Sequence, residues 1–300
     1  MEIKLFARAK INLLLDVHSK RPDGYHNVEM VMQTLQLADI IKIRRQKADI
    51  KLVCDNKKLP LDERNLAYKA ARLFLDMFSI ETGLEIQIIK KIPLCAGLGG
   101  GSADAAAVLK GLNKMFGTNL SKRDLIQIGK EIGADVPFCI VGGTALAKGI
   151  GEILTPLNDL PKTWFVLAKP PVDVSTAWVY REIDRIKHDR RPDVEGMLQA
   201  IRQRDIKRVG AMLCNVMEQV TANKYPVIRE IKEYMTREGA LGSLMTGSGP
   251  TVFGIFDNRT AAIRACKRIS NRFCGDFFVT TNFVVGGEVC EEEIEFNKTG

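Results

Sequence analysis

Apolar and polar residues alternate over residues 2–17 and again over 28–44, and Arg21-Pro22-Asp23-Gly24 between the two stretches is a turn sequence. A period of two sorts side chains onto the faces of a sheet, so the chain is expected to open with a strand-rich layer. The period then lengthens. Asn65 stands where its side chain caps a helix over residues 66–78, and a strand is expected over 84–90. A glycine-rich loop follows. Beyond it, the strong helix formers of residues 103–109, continued by Leu112, Met115 and Phe116, predict a largely buried helix. Ser121-x-x-Asp124 opens the next helix, Gly133 stops it, and a short helix is expected after Asp135.

The second half reads as strands over 143–148 and 164–168, several helices, and a strand over 241–245. A second glycine loop, a strand over 251–256, a helix over 260–273 and a strand over 277–285 complete it. That order predicts an α+β domain with helices on one face of an antiparallel sheet. At 300 residues the chain exceeds the usual size of one domain. Turn formers over residues 155–161 look like a linker, which places the division between 1–155 and 156–300.

Composition narrows the class. A hydrophobic fraction of 46% and a charged fraction of 27%, without a low-complexity tract, describe an ordinary globular chain rather than a disordered one. The opening residues alternate apolar with charged and so do not suit a signal peptide. No apolar run approaches the length that crosses a bilayer, about 20 residues. The expected location is the cytoplasm, without a membrane partner. Cys54, Cys95, Cys139, Cys214, Cys266, Cys274 and Cys290 form no C-x-x-C pair and read as reduced core thiols. His18, His26 and His188 are too scattered for a histidine-rich metal site, and no dedicated metal ligands are expected. The net charge of +8 attracts anions, among them nucleic acid and phosphorylated metabolites. Its basic residues, however, are interspersed with acids and carry few aromatics, which argues for a solvated surface and against a nucleic-acid partner.

The most informative stretch is the loop Pro93-Leu94-Cys95-Ala96-Gly97-Leu98-Gly99-Gly100-Gly101-Ser102-Ala103 between strand and helix. Glycine permits positive φ and close approach, so consecutive amides can converge on an anion beside the positive end of a helix. Ser102 offers a hydroxyl to phosphate or magnesium. The loop lacks the G-K-[ST] ending of a P-loop, and serine at its last position breaks the dinucleotide G-x-G-x-x-G pattern. Tight packing of helix on sheet is the purely structural alternative.

Three segments in order resemble the signatures of the GHMP kinase superfamily. They are Ala9-Lys10-Ile11-Asn12-Leu13, the loop from Pro93, and Met245-Thr246-Gly247-Ser248-Gly249-Pro250-Thr251-Val252-Phe253-Gly254. Arg21-Pro22-Asp23-Gly24-Tyr25-His26 and Gly133-Ala134-Asp135-Val136-Pro137-Phe138 resemble its diphosphocytidyl-methylerythritol kinase branch. The resemblance implies an α+β, two-domain fold. Its N-terminal ATP-binding domain is related to a ribosomal-protein fold, its C-terminal substrate-binding domain is ferredoxin-like, and the active site lies in the cleft between. It implies ATP with magnesium, 4-diphosphocytidyl-2-C-methyl-D-erythritol as acceptor, and a monomer or weak homodimer.

The resemblance also assigns residues. Asp135 would accept the hydroxyl proton, with Lys10 holding that carboxylate ionised; the alternatives are a helix-capping Asp and a solvated strand Lys. The loop from Pro93 to Ala103 would bind ATP, and Asn65 would recognise adenine, a role that competes with capping. Tyr25 and His26 would take the cytosine, with Tyr180 completing a sandwich unless it fills a helix–sheet contact. Asn12, two residues from Lys10 along a strand, would orient the substrate or the catalytic pair, unless it is a structural Asn. The Gly247-Ser248-Gly249 loop would approach the substrate or the phosphate loop, unless it serves only to reverse the strand, and Thr176 is a further substrate-contact candidate. Kinases of the same superfamily acting on mevalonate, homoserine or a sugar are the nearest alternative, and a nonenzymatic nucleic-acid binder is the alternative from another class.

Overall fold

The computed structural model describes residues 2–186, 191–286 and 294–298, so His188 and Cys290 lie outside the described residues. The chain divides into two compact units that do not follow the sequence halves. The first comprises Met1–Lys10, Leu37–Leu94 and Gly99–Val141; the second comprises Ile11–Gln36, Cys95–Leu98 and Gly142–Gly300. Two long strands, β1 (Glu2–Lys20) and β2 (His26–Gln46), therefore contribute to both.

In the first unit β2 continues in the sheet to β4 (Gly83–Ile89), antiparallel with Ile40 opposite Ile89. The strand β3 (Ile50–Cys54) lies parallel to β4 at the edge. Three helices and a short fourth belong to this unit: α1 (Leu66–Met77), α2 (Gly100–Phe116), α3 (Lys122–Ile132) and α4 (Val136–Val141), the last two packed on α2. Local chemistry sets their ends. Asn65 Oδ1 accepts from Ala67 N–H at 2.9 Å, and Ser121 and Asp124 form a reciprocal capping box. The α2 helix is alanine-rich where it packs, and a Cβ on Gly111 would stand 2.9 Å from Leu5 Cδ1 and 2.7 Å from Ile43 Cδ1. Small residues thus let α2 lie against the sheet over a core of Ile41, Ile43, Leu84, Ile86, Phe74 and Val108.

In the second unit β5 (Thr144–Lys148) pairs with the first part of β2 and with β6 (Ile153–Pro156). The stretch expected to be a linker from residue 155 thus begins inside a strand, whose terminal Pro156 sits where the sheet ends and its missing donor matters least. The next elements are β7 (Trp164–Lys169), α5 (Thr176–Ile183), α6 (Val194–Arg202), α7 (Ile206–Ala211) and the two-residue β8 (Cys214–Asn215), which pairs with β1. Two helices, α8 (Met217–Lys224) and α9 (Val227–Arg237), precede β9 (Gly242–Met245), β10 (Val252–Phe256), α10 (Arg259–Arg272), β11 (Gly275–Thr281) and β12 (Ile294–Lys298). The expected antiparallel sheet is present, in the order β12-β11-β7-β10-β9, with α9 packed on β9 and β10 and α10 on β7 and β11. The strand expected to reach residue 285 stops at Thr281, because Asn282 leaves the ladder for a bridge to Leu35 and Phe283 N–H donates to Thr34 O at 2.8 Å.

The cysteine expectation needs correcting: Cys214 and Cys266 are core thiols, whereas Cys95 and Cys274 are exposed and Cys54 and Cys139 are in between. Burial pushes the Cys266 thiol up to about 12, which keeps it protonated and inert. Among the described residues no helix is long and apolar enough to cross a membrane.

Candidate functional site

The polar groups singled out in the sequence fall into two clusters, one in each unit. In the first unit α2 begins at Gly100, three residues earlier than the alanine run suggests, because Gly99 takes a left-handed conformation at φ 69° and turns the chain into the helix. The first intrahelical bond to the cap runs from Ala103 N–H to Gly99 O at 2.9 Å. The amides of Gly100, Gly101 and Ser102 thus precede the helical ladder and point out of a helix whose dipole favours an anion.

Lys10, at the end of this unit's portion of β1, lies across that turn. A Cβ on Gly99 would stand 2.9 Å from Lys10 Cγ and 3.1 Å from Cε. Lys10 Nζ is 3.3 Å from Asp135 Oδ2; the lysine side chain is 6% exposed and the aspartate 31%. Asp135 precedes α4, and its main-chain carbonyl accepts from Cys139 N–H at 3.1 Å. Its carboxylate is left to face Lys10, partly open to a ligand. Ala103 and Ile92 are buried, and Pro93, Leu94 and Ser102 are half-buried. Asn65 is engaged at both ends of its amide, accepting from Ala67 and donating to Pro60 O at 2.8 Å, so capping is what the structure shows it doing.

Behind this turn lies a group that the sequence did not reveal. Lys90, Asp39 and Asp104 are all buried; Lys90 Nζ donates to Asp39 and, at 3.0 Å, to Asp104 Oδ2. Burial, opposed by Lys90 but reinforced by the facing Asp39 carboxylate, holds the Asp104 carboxyl well above its ordinary 3.8. The Lys90 ammonium, which burial alone would lower, is raised by Asp104 and Asp39. A raised folded-state pKa on an acid means that the native chain keeps a proton the unfolded chain has released. Stability from Asp104 therefore falls as pH rises above 3.8, up to the folded-state value. Asp104→Asn abolishes that dependence. Its melting temperature should gain on the parent's between pH 4 and pH 7, as scanning calorimetry will show; an equal offset at both pH values would exclude a protonated Asp104.

In the second unit His26 is buried and its ring stacks on Tyr180, with centroids 5.2 Å apart and planes at 24°. His26 Nε2 lies 2.7 Å from Asp184 Oδ1. Tyr25, by contrast, is 59% exposed, its backbone tied into the turn through Asp23 Oδ1 and Arg21. The ring that faces Tyr180 is thus His26. Asn12 is fully buried; its N–H donates to Thr246 Oγ1 at 3.0 Å, and Thr246 Oγ1 lies 3.3 Å from Asn12 Oδ1. Thr176 Oγ1 is 2.8 Å from Ser248 Oγ. Gly97, at φ 73°, lies so close to the second glycine loop that a Cβ there would stand 2.6 Å from Thr246 O. Ala96 and Leu98 are buried beside it and Cys95 is exposed. Asn215 and Thr221 hold the second loop in shape: Asn215 Nδ2 donates to Met245 O and Gly247 O, each at 2.8 Å, and Thr221 Oγ1 to Ser248 O at 3.1 Å. These two residues carry no motif signal, since they act on carbonyls. Thr246 stands inside a motif and was legible only as part of it.

The chain as a whole is similar to known proteins. Residues 65–143 match the family model of the GHMP kinases N terminal domain, and residues 197–275 that of the GHMP kinases C terminal domain. The chain is 49% identical to a 4-diphosphocytidyl-2-C-methyl-D-erythritol kinase of Caldicellulosiruptor saccharolyticus over 98% of this chain and 99% of that one. It is likewise 49% identical to one from Geobacillus thermodenitrificans, over 93% and 96%. Among solved structures it resembles a 4-(cytidine 5'-diphospho)-2C-methyl-D-erythritol kinase, with a TM-score of 0.80, 32% identity and coverage of 93% of this chain and 99% of that one. A homoserine kinase from Cytophaga hutchinsonii, with a TM-score of 0.74 and 22% identity over 94% and 95%, shares the fold.

Proposed function

Because the chain belongs to the GHMP kinases and, within them, to the 4-diphosphocytidyl-2-C-methyl-D-erythritol kinase family, we propose that it transfers the γ-phosphoryl group of ATP to the 2-hydroxyl of 4-diphosphocytidyl-2-C-methyl-D-erythritol. The reaction belongs to the non-mevalonate route to isoprenoid precursors. The observation that supports the site assignment most directly is the Lys10–Asp135 ion pair set against Gly99, at the start of α2.

Phosphoryl transfer asks for in-line positioning, stabilisation of negative charge and removal of the hydroxyl proton. Asp135 takes that proton in this reading, and Lys10 keeps the carboxylate ionised and faces the transferring group. The amides of Gly100, Gly101 and Ser102 receive phosphate oxygens, and the rest of the loop from Pro93 to Ala103 shapes the turn that presents them. That Ala96, Leu98 and Ala103 turn inward and four positions are glycine suits a loop that binds through its backbone. The Ser102 hydroxyl would be the protein's contact for a magnesium ion bound with ATP, which would supply neutralisation of the triphosphate charge. Asn65 stays on the adenine side, acting through the helix start that it caps.

Tyr25, His26 and Tyr180 offer aromatic faces and polar edges to the cytosine, while Asn12, Thr176, Gly247 and Ser248 surround the rest of the acceptor. ATP thus draws on residues within 1–155, and the acceptor on both that half and 156–300. We place the enzyme in the cytoplasm, as a monomer or weak homodimer without nucleic-acid or membrane partners. The intermingling of basic with acidic residues along the chain supports the absence of a nucleic-acid partner.

A panel of alcohols decides the substrate. With ADP release as the readout, turnover is expected with the cytidyl substrate and not with mevalonate, homoserine or galactose. Turnover of mevalonate alone would reverse the assignment.

A further inference from the structure

We propose that Asp39, Lys90 and Asp104 form a positioning clamp that pins both stems of the glycine loop and thereby sets nucleotide affinity. The proposal rests on the reading that the start of α2 receives the phosphates. Its geometry lies wholly within the first unit.

The stem that enters the loop is Lys90-Lys91-Ile92, directly after β4. Asp39, on β2 and fully buried, accepts the backbone N–H of Lys91 at 2.6 Å and of Ile92 at 2.8 Å through Oδ1, while its Oδ2 accepts from Lys90 Nζ. The stem that leaves the loop is the first turn of α2. Lys90 Nζ reaches it twice: it donates to Asp104 Oδ2 at 3.0 Å, and it lies 3.3 Å from where a Cβ on Gly100 would stand. One ammonium group therefore ties the strand exit to the helix entrance, and Pro93 to Gly99 span the interval between two fixed points.

Stability alone does not account for the cluster. Burying an ion pair costs several kcal/mol in desolvation, and well-packed apolar residues of similar volume often serve as well or better. The cluster even leaves a defect, since the buried Asp104 Oδ1 has no hydrogen-bond partner. Charged hydrogen bonds are directional, whereas apolar contacts let a strand end and a helix end slide past each other. Fixing both stems beforehand removes ordering that the ligand would otherwise have to drive on binding.

The test separates placement from folding. Lys90→Met strands a buried carboxylate and is expected to unfold readily, so the decisive variant is the double Lys90→Met/Asp39→Asn, which removes both charges together. It is expected to retain a melting temperature within a few degrees of the parent and to bind 4-diphosphocytidyl-2-C-methyl-D-erythritol within about twofold of it. Its Kd for magnesium ADP, measured by calorimetry, should rise at least about tenfold, the consequence of losing one to two charge-assisted hydrogen bonds. Amide hydrogen exchange over residues 93–103 should quicken in the same variant. Asp104→Asn, which keeps a neutral side chain of the same shape, should stay within about threefold for ADP. A folded double variant with the parent's ADP affinity and the parent's loop exchange overturns the clamp. If the parent itself fails to bind ADP, the kinase site assignment falls, and the exchange measurement alone judges the clamp.

Discussion

Asp135→Asn is expected to lower kcat by at least about 10²-fold, the usual contribution of a positioned general base. The substitution preserves shape and can still accept a hydrogen bond from Lys10, 3.3 Å away, but it removes the group that takes a proton. Because Asp135 is about one-third exposed and its carbonyl, not its carboxylate, enters the α4 ladder, folding should be little affected. Single-turnover kinetics with the cytidyl substrate, beside calorimetric binding of magnesium ADP, provide the check. Undiminished turnover would take Asp135 out of the chemistry.

Gly99→Ala is expected to be nearly as damaging, for a different reason. At φ 69° a side chain costs about 1–2 kcal/mol of backbone strain. The new Cβ would also meet Lys10 Cγ at 2.9 Å, a mid-chain carbon with little freedom to retreat. Displacing the ammonium by about 1 Å is the kind of error that costs about 10²-fold in rate. Gly117→Ala, at the other end of the same helix, supplies the control: its φ is 62° and nothing lies within 4 Å of the added carbon. Both variants should lose similar stability in urea titrations, and only the first should lose activity. Equal activities would mean that the contact with Lys10 has no catalytic weight.

Much of this architecture was legible because it follows from local rules. Alternation announced β1 and β2, side-chain caps announced α1 and α3, and glycine after glycine announced the turn into α2. The strands β3 and β8 escaped for the complementary reason. Neither carries a local signal that sets it apart from its neighbours, and only partners distant in sequence make each of them a strand. The Asp39–Lys90–Asp104 group was hidden more thoroughly. Lysine and aspartate are ordinarily solvated, so nothing in a single sequence marks three of them as buried together. Tyr180 was named from a motif, but its pairing with His26 rather than Tyr25 depends on where α5 lies, which no spacing encodes.

The way the first glycine loop is built bears on inhibitor design. Ala96, Leu98 and Ala103 are committed to the interior and four positions are glycine, so what the turn displays is largely main chain, which carries little that is particular to any one sequence. A compound directed there gains affinity at the expense of discrimination. The stack of His26 on Tyr180, buttressed by Asp184, is made of side chains and carries the individuality that a selective compound needs.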